Sequence, residues 1–340
     1  MAAPASVDPR IVCTPGYDLT FLGLERLHPF DGRKASRAWR AARRRLGAAL
    51  DQRTLRPTLP LTREQLLAVH TPAYLDQLRS PAYVAQVLEL PIVARLPSFI
   101  IDWRLLRPMR LGAQGTRLAA EAALRGGLAY NLAGGYHHAG RDQGQGFCCY
   151  ADVHLTLAAL RQTGALAADD RVLILDLDAH QGNGHERLAQ ADPQVFIADV
   201  YNQDIFPGDW AARRRIDLDR PVRSGTGDDA YLRLLRRLLP EVTAAGPFRL
   251  AFYIAGTDVA AEDPLGGMAL SGDALRTRDR LVLTALLAAG TAVTMLAGGG
   301  YGPHSYLHLA DSLSYVVETW GRGRGELGPG PGQGVSMRSG

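Results

Sequence analysis

Four short apolar runs in this chain end abruptly in glycines and ionisable residues, and no other feature constrains its fold as tightly. Leu128–Leu132 runs into Gly134, Gly135, Tyr136, His137 and His138. Val172–Leu175 runs into Asp176, Asp178, His180 and Asn183. Leu250–Ile254 runs into Gly256, Thr257 and Asp258, and Thr291–Leu296 into Gly298, Gly299, Gly300 and Tyr301. A fifth run, Val195–Val200, has the same strand character. Helical stretches lie between them: Gln114–Arg125, Asp152–Arg161, Asp229–Val242 and Asp273–Ala289. Strands alternating with helices predict βαβ units and a mostly parallel sheet covered on both faces. Ligands of such sheets bind outside the carboxyl ends of the strands. The pattern therefore delivers two histidines, an Asp/His cluster, a further Asp and a Tyr to one edge. Near the N-terminus, Thr62 with Gln65 reads as a capping box opening a helix that runs to His70.

The chain has 340 residues, 46% of them hydrophobic, enough for a sizeable core. Its net charge of +4 is carried almost wholly by arginine, Lys34 being the only lysine. A dense basic run, Arg43, Arg44 and Arg45, reads as a solvated helix face rather than a nucleic-acid patch. Cys13, Cys148 and Cys149 are odd in number and form no CxxC pair, which argues against a disulfide framework or a cysteine zinc site. Residues 1–10 show no apolar signal core and no apolar run reaches the length of a membrane span, so a cytoplasmic protein is expected. Residues 321–340, rich in Gly with Pro329 and Pro331, are expected to be a disordered tail after one domain spanning residues 1–320.

Asp176, Asp178 and His180 stand at i, i+2 and i+4 after a fully apolar run, a spacing that lets all three project to one side of extended backbone. Burying two carboxylates together is costly unless a cation compensates, and Asp and His both suit zinc. Asp258, in AGTD after another strand, is the candidate third ligand. His137 and His138 suit proton transfer beside a metal. Tyr301 follows three glycines, where backbone approaches a ligand closely and a phenol donates to a developing oxyanion. No GxGxxG accompanies the glycines, so a dinucleotide loop is weakly indicated. His304 and His308 share a helix face without an HExxH motif. His28, His70 and His154 read as ordinary satisfied histidines, and His185 as a support of the site loop.

HHAGRDQGQGFCCYAD, ILDLDAHQGNGHE, YIAGTDVAAEDPLGG and LAGGGY, in this order, resemble the histone deacetylase superfamily. DLTFLGLERLHPFDGRK, VHTPAYLDQLRS and DVYNQDIFPGD resemble its class IV members in particular. The resemblance covers about residues 15 to 320. It implies the arginase/deacetylase fold, a single three-layer αβα domain around a mostly parallel sheet. By the same resemblance Asp178, His180 and Asp258 would bind zinc, and Asp176 would hold His137. His138 would be the general base, oriented by Asn183, and Tyr301 would polarise the amide carbonyl. Gly146 would accept the substrate amide proton through its carbonyl, and Phe147 and Phe206 would wall the acyl-lysine channel. Iron(II) is an alternative to zinc in an Asp–His–Asp site. A structural potassium ion is implied near the Asp176–His180 loop and Asp199.

The expected activity is zinc-dependent hydrolysis of N-ε-acyl-lysine, with long fatty-acyl chains among the candidate substrates. The alternatives are a small-molecule amidohydrolase acting on acylated amine metabolites such as acetylpolyamines, and a non-catalytic acyl-lysine reader. Arginase chemistry, which uses two manganese ions, is disfavoured by His138 and Tyr301.

Overall fold

The computed structural model of the protein describes residues 7–20 and 31–321. His28, part of the class IV-like N-terminal motif, and all but the first residue of the expected tail lie outside the described residues.

Eight strands form one sheet: β1 (Arg10–Val12), β2 (Thr54–Leu55), β3 (Leu128–Asn131), β4 (Val172–Asp176), β5 (Val195–Asp199), β6 (Leu218–Asp219), β7 (Leu250–Ile254) and β8 (Ala292–Leu296). Their order is β2-β1-β3-β8-β7-β4-β5-β6, and every pairing is parallel. The five anticipated strands are all present, with ends within one residue of expectation. The two edge pieces β2 and β6, two residues each, carry too little apolar pattern to announce themselves, and neither does the three-residue β1.

Side-chain alternation builds three layers. In β4, Leu173 and Leu175 point into one core with Tyr253, Met295 and residues of the helices Asp228–Ala245 and Gly272–Ala288. Val172 and Ile174 point the other way, onto Ala119, Ala123, Leu157 and Leu160 of the helices Arg107–Gly126 and Asp152–Gln162. Both faces are thus buried, which is why these strands read as continuous apolar runs rather than alternating ones.

The helix expected over Gln114–Arg125 starts earlier, at Arg107, with Pro108 in its first turn and a π-helical turn, Asp102–Leu106, directly before it. The Thr62–Gln65 capping box is present, with Thr62 N donating to Gln65 Oε1 at 2.8 Å. Its helix, however, ends at Leu66, not His70. The chain has to turn there, because Thr71 caps a separate helix, Pro72–Gln77, whose proline cannot continue an earlier one.

Register fixes the site. Asn131 pairs with Leu296, Leu296 with Ile254, Ile254 with Asp176, and Asp176 with Asp199. Five strands therefore end in one row, and the segments that follow them leave the sheet at the same height.

Candidate metal centre

Beyond that row, Asp178, His180 and Asp258 converge. They offer one ligand atom each within 4.8 Å of one another, all buried. His180 Nδ1 lies 3.2 Å from Asp178 Oδ1 and 3.0 Å from Asp258 Oδ2. The second oxygen of each acid is held from behind: Gly299 N donates to Asp178 Oδ2 at 2.7 Å, and Ala179 N to Asp258 Oδ1 at 3.0 Å. Gly299 has to be glycine, since a Cβ there would stand 2.3 Å from Asp258 Oδ2. The chain bends after Asp176, so the expected one-sided row is split. Asp176 leaves the cluster and takes His137, Nδ1 to Oδ2 at 2.8 Å.

The electrostatics ask for a cation. Burial, then the charge of Asp178, pushes Asp258 up to about 7. Burial opposes charge on His180, but the two carboxylates override it and raise the imidazole to about 10. A protonated His180 does here what a bound divalent ion would do, offsetting two buried acids. With an ion in place His180 returns to the neutral form that a ligand must have. The donor set fits a metal, and two carboxylate oxygens with one imidazole nitrogen suit zinc or iron(II).

His137 and His138 lie side by side, ring centroids 4.1 Å apart, yet titrate in opposite directions. For His137 burial is outweighed by Asp176 and Asp178, which lift it to about 9. For His138 burial, then the neighbouring His137 and His180, hold it well below its ordinary value. Its Nδ1 faces Asn183 Oδ1 at 2.9 Å, so Nδ1 carries the hydrogen and Nε2 keeps a lone pair. Asn183 Nδ2 in turn donates to Asp209 Oδ2 at 3.3 Å.

Tyr301 sits across the cluster, its ring 6.2 Å from His180 and 5.5 Å from Phe147. Burial, then Asp178 and Asp258, holds its phenol well above the usual range, so it stays a donor. Phe206 packs edge-on to His138 at 5.1 Å and remains partly exposed. Gly146, at φ +51°, lies against His138: a Cβ would come 2.4 Å from its ring. The structure thus brings together every residue expected at the site. His185 packs between His137 and His154, at 6.3 and 5.5 Å, consistent with a supporting role. His70 accepts from Ala151 N, and His304 and His308 stand at the surface end of the last helix, Ser305–Trp320.

Three anchoring residues escaped the sequence reading. Arg278, fully buried, donates to the carbonyls of Gly256 at 2.6 Å, Ala255 at 3.1 Å and Leu177 at 3.4 Å. It thereby ties together the two segments that carry Asp178 and Asp258. Asp263 accepts from Tyr301 N at 2.6 Å and Gly302 N at 2.9 Å. Lys34 donates to Gly298 O at 3.0 Å and Gly300 O at 3.4 Å. Being the only lysine in an arginine-rich chain was the one available signal for it.

A cavity of about 140 Å³ adjoins the cluster. Gly146, Phe147, His137 and Tyr301 line it, together with Leu88, Leu90, Leu105 and Met109.

Comparison with known proteins agrees with this geometry. A family profile described as "Histone deacetylase domain" matches residues 28–319. "Histone deacetylase 2" of Arabidopsis thaliana is 39% identical over 305 residues, covering 89% of this chain and 77% of that protein. A "Histone deacetylase-like amidohydrolase" of Pseudomonas aeruginosa is 29% identical over 298 residues, covering 81% and 76%. Among solved structures, an HDAC homolog complexed with SAHA superposes with a TM-score of 0.73 at 23% identity, over 93% of this chain and 85% of that one. An HDAC homolog from Aquifex aeolicus superposes with a TM-score of 0.72 at 22% identity, with the same coverage. At those identities the superpositions attest the shared fold.

Proposed function

The chain belongs to the histone deacetylase family, enzymes of the deacetylase/amidohydrolase type, and from that premise we propose that it is a zinc-dependent lysine deacylase that accepts long fatty-acyl chains. The class IV kinship suggested by its motifs, a catalytic domain over residues 1–320 and a cytoplasmic location belong to the same proposal. Its cysteines are all free thiols, and no helix among the described residues is long and apolar enough to cross a membrane. The observation that carries the acyl-chain reading is the cavity. Beside Tyr301 and Phe147 its lining includes Leu88, Leu90, Leu105 and Met109, apolar side chains suited to a hydrocarbon chain.

Asp178, His180 and Asp258 would hold the zinc. When bound there, zinc would supply Lewis-acid polarisation of an amide carbonyl and would lower the pKa of a coordinated water toward about 7.

The chain's own residues supply the rest. His138 Nε2 takes a proton from the attacking water and returns it to the leaving lysine amine. Asn183 fixes the tautomer that leaves Nε2 free. His137, charged through its pairing with Asp176, keeps its neighbour His138 neutral and ready to accept. The Tyr301 hydroxyl donates to the oxygen that gains charge. The carbonyl of Gly146 accepts the substrate amide N–H, while Phe147 and Phe206 flank the lysine stem. A structural potassium ion would sit near Asp199, where burial, then Asp176 and Glu186, hold the carboxyl well above its usual range, an excess of buried acid that a cation would offset.

The test compares turnover of acetyl-lysine and myristoyl-lysine peptides with acetylputrescine, using zinc-loaded protein and Asp258→Ala as control. Myristoyl-lysine should lead, with an inactive control. Preference for acetylputrescine would reassign the protein to acylated amine metabolites, and no turnover at all would favour an acyl-lysine reader.

A further inference from the structure

An amide orients an imidazole only if the amide itself cannot turn over. Asn183 offers Oδ1 to His138 Nδ1 at 2.9 Å. Rotated by half a turn it would offer N–H donors instead, and His138 would carry its hydrogen on Nε2. The other end of the amide settles which way it points. Asn183, 1% exposed, donates from Nδ2 to Asp209 Oδ2 at 3.3 Å, and an ionised carboxylate can only accept. Rotated, the amide would set Oδ1 against Oδ2, an acceptor facing an acceptor.

Asp209 is itself held from several directions. Oδ1 accepts from Ala212 N at 3.1 Å, and Oδ2 accepts from Arg187 Nε at 2.8 Å. Its backbone N donates to Gln181 Oε1 at 2.9 Å, and its carbonyl accepts from Gln181 Nε2 at 3.0 Å. Burial opposes its charge, but Ala212 N, Arg187 and Asn183 keep the carboxyl below its usual range. The same loop carries Phe206, three residues earlier, onto the ring of His138 at 5.1 Å.

We propose that Asp209 is a positioning residue that sets the tautomer of His138 through the amide of Asn183. The proposal rests on the reading of His138 as general base. Asp209→Asn is the informative change because it keeps shape and leaves one oxygen for two tasks. If that oxygen still caps Ala212 N, an NH2 group faces Asn183 Nδ2, donor against donor. Turning the Asn183 amide relieves the clash and moves the His138 hydrogen to Nε2, where it blocks the lone pair that a base needs. Exchanging the pair, Asn183→Asp with Asp209→Asn, repairs the row. The carboxylate introduced at position 183 accepts from His138 Nδ1 on one side and from the amide at position 209 on the other.

The test reads the His138 tautomer from its ring 15N resonances in zinc-loaded, full-length protein without substrate, alongside zinc content, kcat and KM. The resonances are assigned by their absence in His138→Gln. Wild type should show Nδ1–H. Asp209→Asn should lose that state and lower kcat by about 10²–10⁴, the usual worth of a general base, with KM and zinc content little changed. The exchanged pair should regain Nδ1–H and roughly tenfold or more of the lost kcat. Arg187→Gln, which removes the exposed partner of Asp209 but not the acceptor of Asn183, should keep the wild-type tautomer. Nδ1–H persisting in Asp209→Asn, an exchanged pair no better than Asp209→Asn alone, or an equal tautomer change in Arg187→Gln overturns the proposal. A tautomer that follows Asp209 in a protein without turnover supports the positioning role and counts against the assigned activity instead.

Discussion

His138 Nδ1 and Asn183 Oδ1 face each other at 2.9 Å inside the fold, and the partner of this imidazole is an amide rather than a carboxylate. A neutral partner leaves the imidazolium without compensation, so burial and the nearby His137 and His180 hold His138 in its free-base form. Asn183→Asp adds a negative charge beside Nδ1 and raises the pKa of His138. The base then stays protonated to higher pH, and the acid limb of kcat/KM against pH should move upward. A limb that stays in place would show that His138 is not the group that sets it.

Tyr301 is a donor held in place by others. Tyr301→Phe removes the hydroxyl but leaves Asp178, His180 and Asp258 untouched. Zinc content should stay at the wild-type value while kcat falls by about 10²–10³, the usual cost of one oxyanion donor. Turnover within a few-fold of wild type would remove Tyr301 from the chemistry.

On the proposed reading, the apolar residues of the cavity set which acyl chains enter. Met109→Trp puts a bulkier, rigid ring into the cavity lining. Activity on myristoyl-lysine should drop at least tenfold while activity on acetyl-lysine changes little, measured as the ratio of kcat/KM values. Equal losses on both substrates would mean that the chain does not occupy this cavity.

Arg278 is no candidate ligand, yet it decides where two of the proposed metal ligands sit. Arg278→Met leaves the carbonyls of Leu177, Ala255 and Gly256 without their donor and Asp279 without its 3.0 Å partner. A broken buried ion pair costs about 3–5 kcal/mol, read as a shift in urea midpoint. Zinc affinity should fall by about 10–100-fold, as when a supporting residue of a metal site is lost. Arg278→Lys, with a point charge in place of a fork, should recover stability more than zinc affinity.

Acid should destabilise the fold through two buried histidines outside the Asp178–His180–Asp258 cluster. Burial lowers both His70 and His154 from an ordinary 6.5 to about 4. The unfolded chain therefore binds more protons than the folded one between those values. Stability is unaffected above pH 6.5 and falls as pH drops toward 4. The loss is on the order of 3 kcal/mol for each at most. His154→Leu should flatten the dependence of the urea midpoint on pH between 7 and 5, and an unaltered slope would exonerate His154.

Much of this organisation was legible in the residues alone. Parallel strands buried on both faces are long apolar runs, so β3, β4, β5, β7 and β8 stood out, and the polar residues after them marked the functional edge. DxDxH could not reveal which aspartate binds metal, because that depends on the bend after Asp176 and on His137 arriving from another strand. Arg278 was hidden for a related reason. It lies in a helix with an ordinary arginine content, and its role comes from three carbonyls distant in sequence. Asp263 looked like one more loop acid until the structure placed it under Tyr301.

Lys34 carries the only ε-amine in the chain, and that amine is buried between the carbonyls of Gly298 and Gly300. The surface of this enzyme therefore presents no lysine to be acylated. Amine-directed acyl donors and cross-linkers that attach to the lysines of nearly any other protein find none exposed on this chain. In a mixture of the enzyme and an acylated protein, acyl-lysine detected by mass spectrometry or antibody belongs to the substrate alone. A chain with so few attachment points also offers no accessible lysine for modifiers that conjugate through one.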